Sequence, residues 1–248
     1  MSTRRKSLEN VDRQLSTNAG LWLDKFIRDL VREDIQSRRD LVREVAGIQV
    51  PEVYRPWFQR WKKALRDYGA ELRVAKTKGR LAIGLGTESV LETSITLNLT
   101  YGVPYIPGSA LKGLAASFAR QHLGEEWREG TPAYKTVFGD IESAGYVVFF
   151  DALPLPDSFS LHPDVIAVHH REYYQGKPSL PADWDSPNPV PCLSATGSFL
   201  LALAGPSEWV ERAFEILEGA LAHLGVGAKT SSGYGRMELL PLPEEKKA

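Results

Sequence analysis

Residues 224–237 read Leu-Gly-Val-Gly-Ala-Lys-Thr-Ser-Ser-Gly-Tyr-Gly-Arg-Met, and this glycine loop decides how the rest of the chain is interpreted. Its four glycines surround one lysine, one threonine and two serines, so a permissive backbone is combined with side chains that bind phosphate. An apolar helical face runs from Trp209 to Leu224 before it, and a short β-type run over 237–242 follows it. We expect a loop between the last helix and the last strand that lies against a polyanion.

Two nucleotide-binding motifs do not fit this loop. A P-loop requires Gly, four residues, Gly, Lys and then Ser or Thr, and it opens a helix. Here Ala228 precedes Lys229, His223 takes the place of the first glycine, and the loop closes a helix. A Rossmann fingerprint fails because Gly225 does not follow a strand.

The groups that remain in the loop are backbone N–H donors, hydroxyls, one cation and one aromatic ring. Such groups contact the phosphates and bases of RNA. The alternative is a plain turn before the last strand with a solvated lysine. The predicted RNA contacts in this loop are Lys229, Thr230, Ser231, Ser232, Gly233 and Tyr234.

Residues 80–242 alternate between strand and helix patterns. A helix is predicted after the turn at Pro107 and Gly108, because apolar residues share one face as far as the stop at Gly124. The predicted strands are 81–85, 93–100, 146–150, 194–203 and 237–242. The first two segments are two short strands or a strand and a β-ribbon, and they count here as the first strand. With the helix before the glycine loop, the order is strand, helix, strand, strand, helix, strand. This order predicts an α+β, ferredoxin-like (RRM-like) βαββαβ domain.

The start of the helix after Pro107 is a second candidate for anion binding. Ser109 is a good N-cap residue, and Lys112 is in the first turn, where free N–H groups and the helix dipole favour an anion. A serine nucleophile of the penicillin-binding type also needs Ser-Asp-Asn and Lys-Thr-Gly motifs, and neither occurs. A capping serine and an anion-binding lysine are therefore expected.

Residues 151–191 are predicted to form a long insertion. Eight prolines in this span argue against regular core structure over most of it. Its polar cluster consists of His169, His170, Arg171, Tyr173 and Tyr174. The two histidines suggest a metal ligand pair or acid–base catalysis, but adjacent side chains seldom point the same way, and surface contacts are the other interpretation. No spacing of carboxylates predicts a metal site, so no metal or cofactor is expected.

Residues 1–75 are predicted to form a helical arm, and residues 76–248 the α+β domain. Apolar residues recur at helical spacing from Leu23 to Val45, and a second amphipathic helix runs from about Arg55 to Gly69. Residues 1–70 carry 15 Lys and Arg against 10 Asp and Glu, whereas the remainder carries 15 against 21. The arm's cations are either a solvated face or a docking surface for RNA or a partner.

Composition excludes several classes of protein. The formal net charge of −1 excludes bulk coating of nucleic acid, so any nucleic acid must bind a local site. The single cysteine, Cys192, excludes an intrachain disulfide and a cysteine-cluster metal site. No apolar run of about 18 residues and no secretory signal occur, so neither a membrane partner nor export is expected and the protein is predicted to be cytoplasmic.

Two segments, Gly102–Gly113 and Leu224–Gly235, resemble the paired signatures of the RAMP superfamily of CRISPR-associated proteins. Within that superfamily, further segments resemble the family of sixth subunits of Cmr, the type III-B RNA-guided effector complex. These segments are Ser89–Thr93, Phe149–Ala152, His169–Tyr174, Pro181–Trp184 and Pro187–Val190. The resemblance covers residue 80 to the end of the chain, and the arm is compatible with it.

The resemblance implies a non-catalytic subunit that caps a backbone of related RAMP subunits and holds the 3′ part of the CRISPR RNA in antiviral defence. It implies RNA contacts by Ser109, Lys112 and Gly113 as well as by the glycine loop; Ala110 departs from the serine that the family often shows. The insertion would act as a thumb, whose cluster at 169–174 contacts guide RNA, target RNA or neighbouring subunits, including the small helical subunit. The alternative is a metal-independent endoribonuclease that processes CRISPR RNA through His169 or His170.

Overall fold

The computed structural model describes residues 8, 10–27, 35–87, 89–168 and 188–242. The helices within these residues are α1 Ala19–Lys25, α2 Ile35–Ala46, α3 Tyr54–Asp67, α4 Gly108–His122, α5 Pro132–Phe138 and α6 Ser207–His223. The strands in the described part of the chain are β1 Glu71–Thr77, β2 Val148–Phe149, β3 Leu153–Pro154, β4 Ser160–Val168, β5 Asn188–Thr196, β6 Ser198–Ala204 and β7 Met237–Pro241. Single 3₁₀ turns occur at Glu125–Trp127 and Thr230–Ser232.

The main sheet is antiparallel, with the strand order β2–β6–β1–β7 and β3 also paired with β6. In the middle of β1, Val74 is opposite Leu200 of β6 on one side and Leu240 of β7 on the other. Helices on an antiparallel sheet make this an α+β protein, as predicted.

The first strand of this sheet lies earlier than predicted. Residues 81–85 do not form a strand: Leu81 makes one isolated bridge to Ala195. Residues 93–100 also contribute only an isolated bridge, between Leu97 and Pro104. Both segments are partly buried, which produces a strand-like apolar pattern although neither segment forms a ladder of hydrogen bonds with the described strands. Strand β1 contains three charged residues among apolar ones, namely Glu71, Arg73 and Lys76. Its sequence pattern therefore resembles a continuation of the helical arm.

One face of the sheet is covered by α4 and α6. Ala75 of β1 and the buried residues Phe199, Leu201 and Leu203 of β6 pack against the apolar faces of both helices. Gly219 of α6 allows the close approach, because a Cβ there would lie 2.6 Å from the Phe118 ring of α4. The predicted helices are therefore confirmed in place and packed on a common face.

The opposite face of the sheet is covered by α3 of the arm. Tyr54 and Phe58, each 1% exposed, pack with Leu200 and other residues of β3 and β6. The Tyr54 hydroxyl donates a hydrogen bond of 2.6 Å to the Pro154 carbonyl, and burial raises the pKa of this phenol. The last helix of the arm is thus part of the core.

The insertion carries regular structure at its base. Strands β4 and β5 pair antiparallel over nine residues each, from Ser160↔Thr196 to Val168↔Asn188, and form a two-stranded ribbon. The expectation that prolines exclude such structure was wrong. Residue pairs along the ribbon alternate between pairs that exchange backbone hydrogen bonds and pairs whose N–H groups point away from the partner strand. The second set of pairs contains Pro163, Pro189 and Pro191.

The direction of these N–H groups is shown by two other residues of the same set. Ala195 exchanges both backbone hydrogen bonds, of 2.7 and 2.9 Å, with Leu81 on the outer side of β5. The Val165 N–H donates to the Asp164 carboxylate of its own strand. A proline in this set therefore removes no hydrogen bond between β4 and β5.

Helices α1 and α2 support the base of the ribbon. Leu23, Leu41 and Val45 pack against Leu161 and Leu193, all of them buried. The single long helix predicted from Leu23 to Val45 is interrupted, because α1 ends at Lys25 and Phe26 follows it as the C-cap. In the parts of the chain that the structure describes, no helix is long and apolar enough to cross a membrane.

Candidate functional site

The glycine loop turns sharply at Lys229. This residue has a left-handed backbone with φ of 60°, followed by the 3₁₀ turn Thr230–Ser232 and by Gly233 with φ of 86°. The Lys229 carbonyl accepts hydrogen bonds from the N–H groups of Ser232 and Tyr234. These bonds hold residues 229–233 as a compact projection at the end of the sheet.

The glycines of the loop face two different environments. A Cβ on Gly235 would lie 1.9 Å from the Val226 carbonyl oxygen, so this glycine lets two backbones of the loop pack together. A Cβ on Gly233 would meet nothing within 4 Å. Ser231, Ser232 and Gly233 are exposed beside the exposed Lys229. The outer surface of the loop is therefore residues 229–233.

Fewer backbone donors are free than the glycine-rich sequence suggested. The N–H groups of 226, 228 and 232–235 are all bonded to carbonyl oxygens. Those of Lys229, Thr230 and Ser231 contact no acceptor in the part of the chain that the structure describes. Three consecutive free N–H groups at a left-handed to right-handed turn form a concave donor site for an anion. The Lys229 ammonium and the neighbouring hydroxyls add charge and further donors.

Residues 78–82 attach the loop to the ribbon. Lys78 donates to the Arg236 carbonyl, and the Arg80 carbonyl accepts from Gly235 at 2.7 Å. Ala82 accepts from the Ala228 N–H, also at 2.7 Å. Arg80 has one buried guanidinium nitrogen, Nη1, without a hydrogen-bond partner among the described residues. Arg80 was not among the predicted site residues, although its place in the basic run of Lys76, Lys78 and Arg80 was a signal.

Tyr234 joins the loop directly to the ribbon. Its hydroxyl donates a hydrogen bond of 2.9 Å to Asp164 Oδ2. Burial raises the pKa of Tyr234, and the hydrogen bond with Asp164 raises it further. On strand β4, which also carries Asp164, His162 Nε2 lies 2.8 Å from the Thr196 hydroxyl. Burial lowers the pKa of His162, and the Arg80 charge lowers it further.

The start of α4 differs from the expectation. The helix begins at Gly108, its N-cap is Pro107, and no side chain caps it, so Ser109 is an exposed residue of the first turn. The Gly108 N–H donates to Asp151 Oδ1 at 2.7 Å. A carboxylate of the chain therefore already occupies the helix N-terminus, which weakens the argument from the helix dipole.

Lys112 and Gly113 lie one turn into α4. Lys112 is half-buried, whereas Gly113 is exposed and a Cβ there would meet nothing within 4 Å. This open backbone lets a polymer approach the helix closely. The start of α4 adjoins Phe149 of the edge strand β2, because a Cβ on Gly108 would lie 2.1 Å from the Phe149 carbonyl.

The two patches lie at opposite edges of the sheet and toward opposite ends of its strands, because Phe149 beside the start of α4 is opposite Leu203, which pairs with Glu71 at the start of β1. The glycine loop leads into β7, where Met237 is opposite Thr77 at the end of β1. Strands β6 and β1 separate β7 from β2. Three inter-strand spacings correspond to about 14 Å. An elongated ligand is needed to touch both patches.

Some predicted contacts fall outside the described residues: His169, His170, Arg171, Tyr173 and Tyr174. Within the described ranges, no group of three or more His, Cys, Asp or Glu side chains is arranged to hold a metal ion.

Comparison with known proteins identifies the family. Residues 74–238 match the RAMP superfamily. The chain belongs to the RAMP superfamily. The matched range of this RAMP protein includes the start of α4, the ribbon and the glycine loop, and the RAMP resemblance read from the sequence is confirmed.

Two relatives of this RAMP protein carry the same subunit name. The protein called CRISPR system Cmr subunit Cmr6 of Pyrococcus furiosus is 34% identical over 247 residues, covering 75% of this chain and 73% of its own length. The Cmr6 subunit of Saccharolobus solfataricus is 31% identical over 171 residues, covering 66% of this chain and 55% of its own length. This RAMP protein is therefore a Cmr6-like subunit.

A solved structure supports the same assignment. A chain in the cryo-EM structure of the type III-B Cmr-beta complex bound to cognate target RNA is 26% identical to this RAMP protein, with a TM-score of 0.62. The match covers 83% of this chain and 75% of that one.

Proposed function

We propose that the protein is a cytoplasmic, non-catalytic RNA-binding subunit of a type III-B Cmr effector complex. It caps the backbone of related RAMP subunits and holds the 3′ part of the CRISPR RNA in antiviral defence. The observation that carries the proposal is the row of three N–H groups at 229–231 that have no acceptor among the described residues, beside Lys229 and two exposed serine hydroxyls. Donors of this kind bind phosphate without regard to base sequence.

The sheet topology supports this role. If β2 and β3 are counted together as the second strand, β1 is the first strand, β6 the third and β7 the fourth. Across the sheet the order is then fourth, first, third, second, and α4 and α6 cover one face. From this order we infer the ferredoxin-like βαββαβ arrangement. RNA-recognition modules stack bases on the open face of such a sheet, but α3 covers that face here. The RNA therefore contacts the two patches at the edges of the sheet instead of stacking on its face.

The partners follow from the family. The Cmr structure that resembles this chain contains target RNA by its name, and we extend that partner and the CRISPR RNA to this protein. The insertion beyond the ribbon, with the cluster at 169–174, contacts the guide–target duplex or neighbouring subunits as a thumb. Those neighbours are the related backbone subunits and the small helical subunit.

The test is RNA retention by the reconstituted complex. Lys112→Ala combined with Lys229→Ala removes one cation from each patch, so retention of CRISPR RNA should fall several-fold at moderate salt. The slope of log affinity against log salt should become shallower by about 0.7 for each lost phosphate contact on single-stranded RNA.

Lys63→Ala provides the matched control, because Lys63 is an exposed lysine paired with Asp67 on α3, away from both patches. It should leave retention unchanged. Equal retention in the double variant and the control would show a pure protein adaptor. Cutting of repeat RNA in metal-free buffer that disappears with His169→Ala or His170→Ala would instead show the processing nuclease.

A further inference from the structure

A small pocket of about 240 Å³ opens between the glycine loop and the ribbon. Its polar wall consists of Asp164, Ser194, Lys229, Ser232 and Tyr234. Ala82 and the buried Leu193 supply apolar surface. The volume is smaller than that of sites for drug-sized ligands and suits one flat ring.

Ser194 marks this pocket as a binding site. The residue is 1% exposed, and its Oγ is buried without a hydrogen-bond partner among the described residues. A buried hydroxyl without a partner is unfavourable, and native structures rarely tolerate one. A ligand in the pocket supplies the missing partner.

Asp164 supplies fixed acceptors in the same wall. Its Oδ1 accepts from the Val165 N–H and its Oδ2 from the Tyr234 hydroxyl, both at 2.9 Å. An ionised carboxylate has about four acceptor positions, so two remain for a ligand. These two bonds orient the carboxylate and favour a ligand that presents N–H donors.

We propose that the pocket holds one RNA base turned out of its stack, with a preference for a base that carries an exocyclic amino group. This inference rests on the proposed function, because a base reaches the pocket from a strand whose phosphate lies on residues 229–231. Asp164 accepts from the amino group of cytosine, adenine or guanine, and Ser194 bonds a second edge atom. Uracil offers no amino group and is disfavoured.

A base fits the observations better than a peptide side chain of a neighbouring subunit. Lys229 and Ser232 line the pocket and also belong to the exposed phosphate-binding projection, so phosphate and base sites are continuous. A nucleotide carries a phosphate and a base on one sugar, so it can occupy both sites together.

The experiment scans the guide RNA in the reconstituted complex. A series of guide RNAs carries a single abasic nucleotide at successive 3′ positions. At one position, loss of the base should weaken retention by the native protein about tenfold more than it weakens retention by Asp164→Asn. At that position, uracil should be disfavoured by the native protein and tolerated by Asp164→Asn, because an amide also donates. Ser194→Ala removes only the hydroxyl, keeps the fold and should reduce the same preference.

Two outcomes overturn the pocket. One is a flat abasic scan while Lys229→Ala still weakens retention at all positions, which leaves the proposed RNA-binding function intact. The other comes from a photoreactive benzoylphenylalanine in place of Val165, which lines the pocket and is 52% exposed. Crosslinks to a guide nucleotide support the base site, and crosslinks to protein alone contradict it.

Discussion

Asp164 and Tyr234 are far apart in sequence but share one hydrogen bond between the ribbon and the glycine loop. Arg80 lies between the same two elements, held by Gly235 and adjoining the Leu81 bridge to β5. A change at either the Asp164 or the Tyr234 side chain is therefore transmitted to both the loop and the ribbon. The projection at residues 229–233 and the ribbon share a common base.

His162 makes this base sensitive to pH. Burial and the Arg80 charge lower its pKa in the folded protein, so between that value and about 6.5 the unfolded chain binds more protons. Stability should be full above pH 6.5 and should fall as pH is lowered toward the folded pKa. Thermal unfolding midpoints at pH 7.5, 6.5 and 5.5 measure this. His162→Gln should flatten the dependence, and an unchanged dependence in that variant would contradict the assignment.

The residues of the loop were predictable because they are contiguous and chemically distinctive. Asp164 and His162 were not, because their place beside the loop depends on the register of β4 against β5. The Asp151 carboxylate at the start of α4 was missed for the same reason: 43 residues separate it from Gly108. Sequence patterns indicate local chemistry, whereas pairing across the fold needs the register.

At the scale of elements, the ribbon shows how prolines are accommodated in a strand. Ile166→Pro places a proline in the set of pairs that hydrogen-bond between β4 and β5, opposite Val190. Ala167→Pro is the matched control, because Ala167 is opposite Pro189 in the other set. The first change should cost about 1 kcal/mol or more through the lost ladder bond. The control should be nearly neutral.

Urea unfolding of the two proline variants measures the difference. Equal losses of stability would show that the alternation of donors along the ribbon has been assigned incorrectly.

Helices α4 and α6 were predicted from their periodic apolar faces almost to the residue. Strand β1 and the ribbon were missed, because charged residues within β1 and prolines within the ribbon resemble loop or helix patterns.

At the scale of the molecule, the arm and the sheet form one core. Tyr54→Phe removes the hydrogen bond to Pro154 and should cost about 1 kcal/mol, whereas Phe58→Ala should cost roughly 3–5 kcal/mol. Both should keep a single urea transition, because α3 unfolds together with the sheet. Val53→Ala, at a residue 62% exposed, is the control. A separate early transition in the Phe58 variant would show that the arm folds independently.

The positions of the prolines also restrict the register in which the two strands of the ribbon can pair. Prolines occur on both strands, and in the native pairing all of them avoid the hydrogen-bonded positions. A slip of one residue would shift the phase of one strand against the other. Either Pro163 or the pair Pro189 and Pro191 would then occupy positions that require a donor. The prolines of the ribbon therefore discriminate against out-of-phase registers, and the native register places Asp164 where it accepts the hydrogen bond from Tyr234 of the glycine loop.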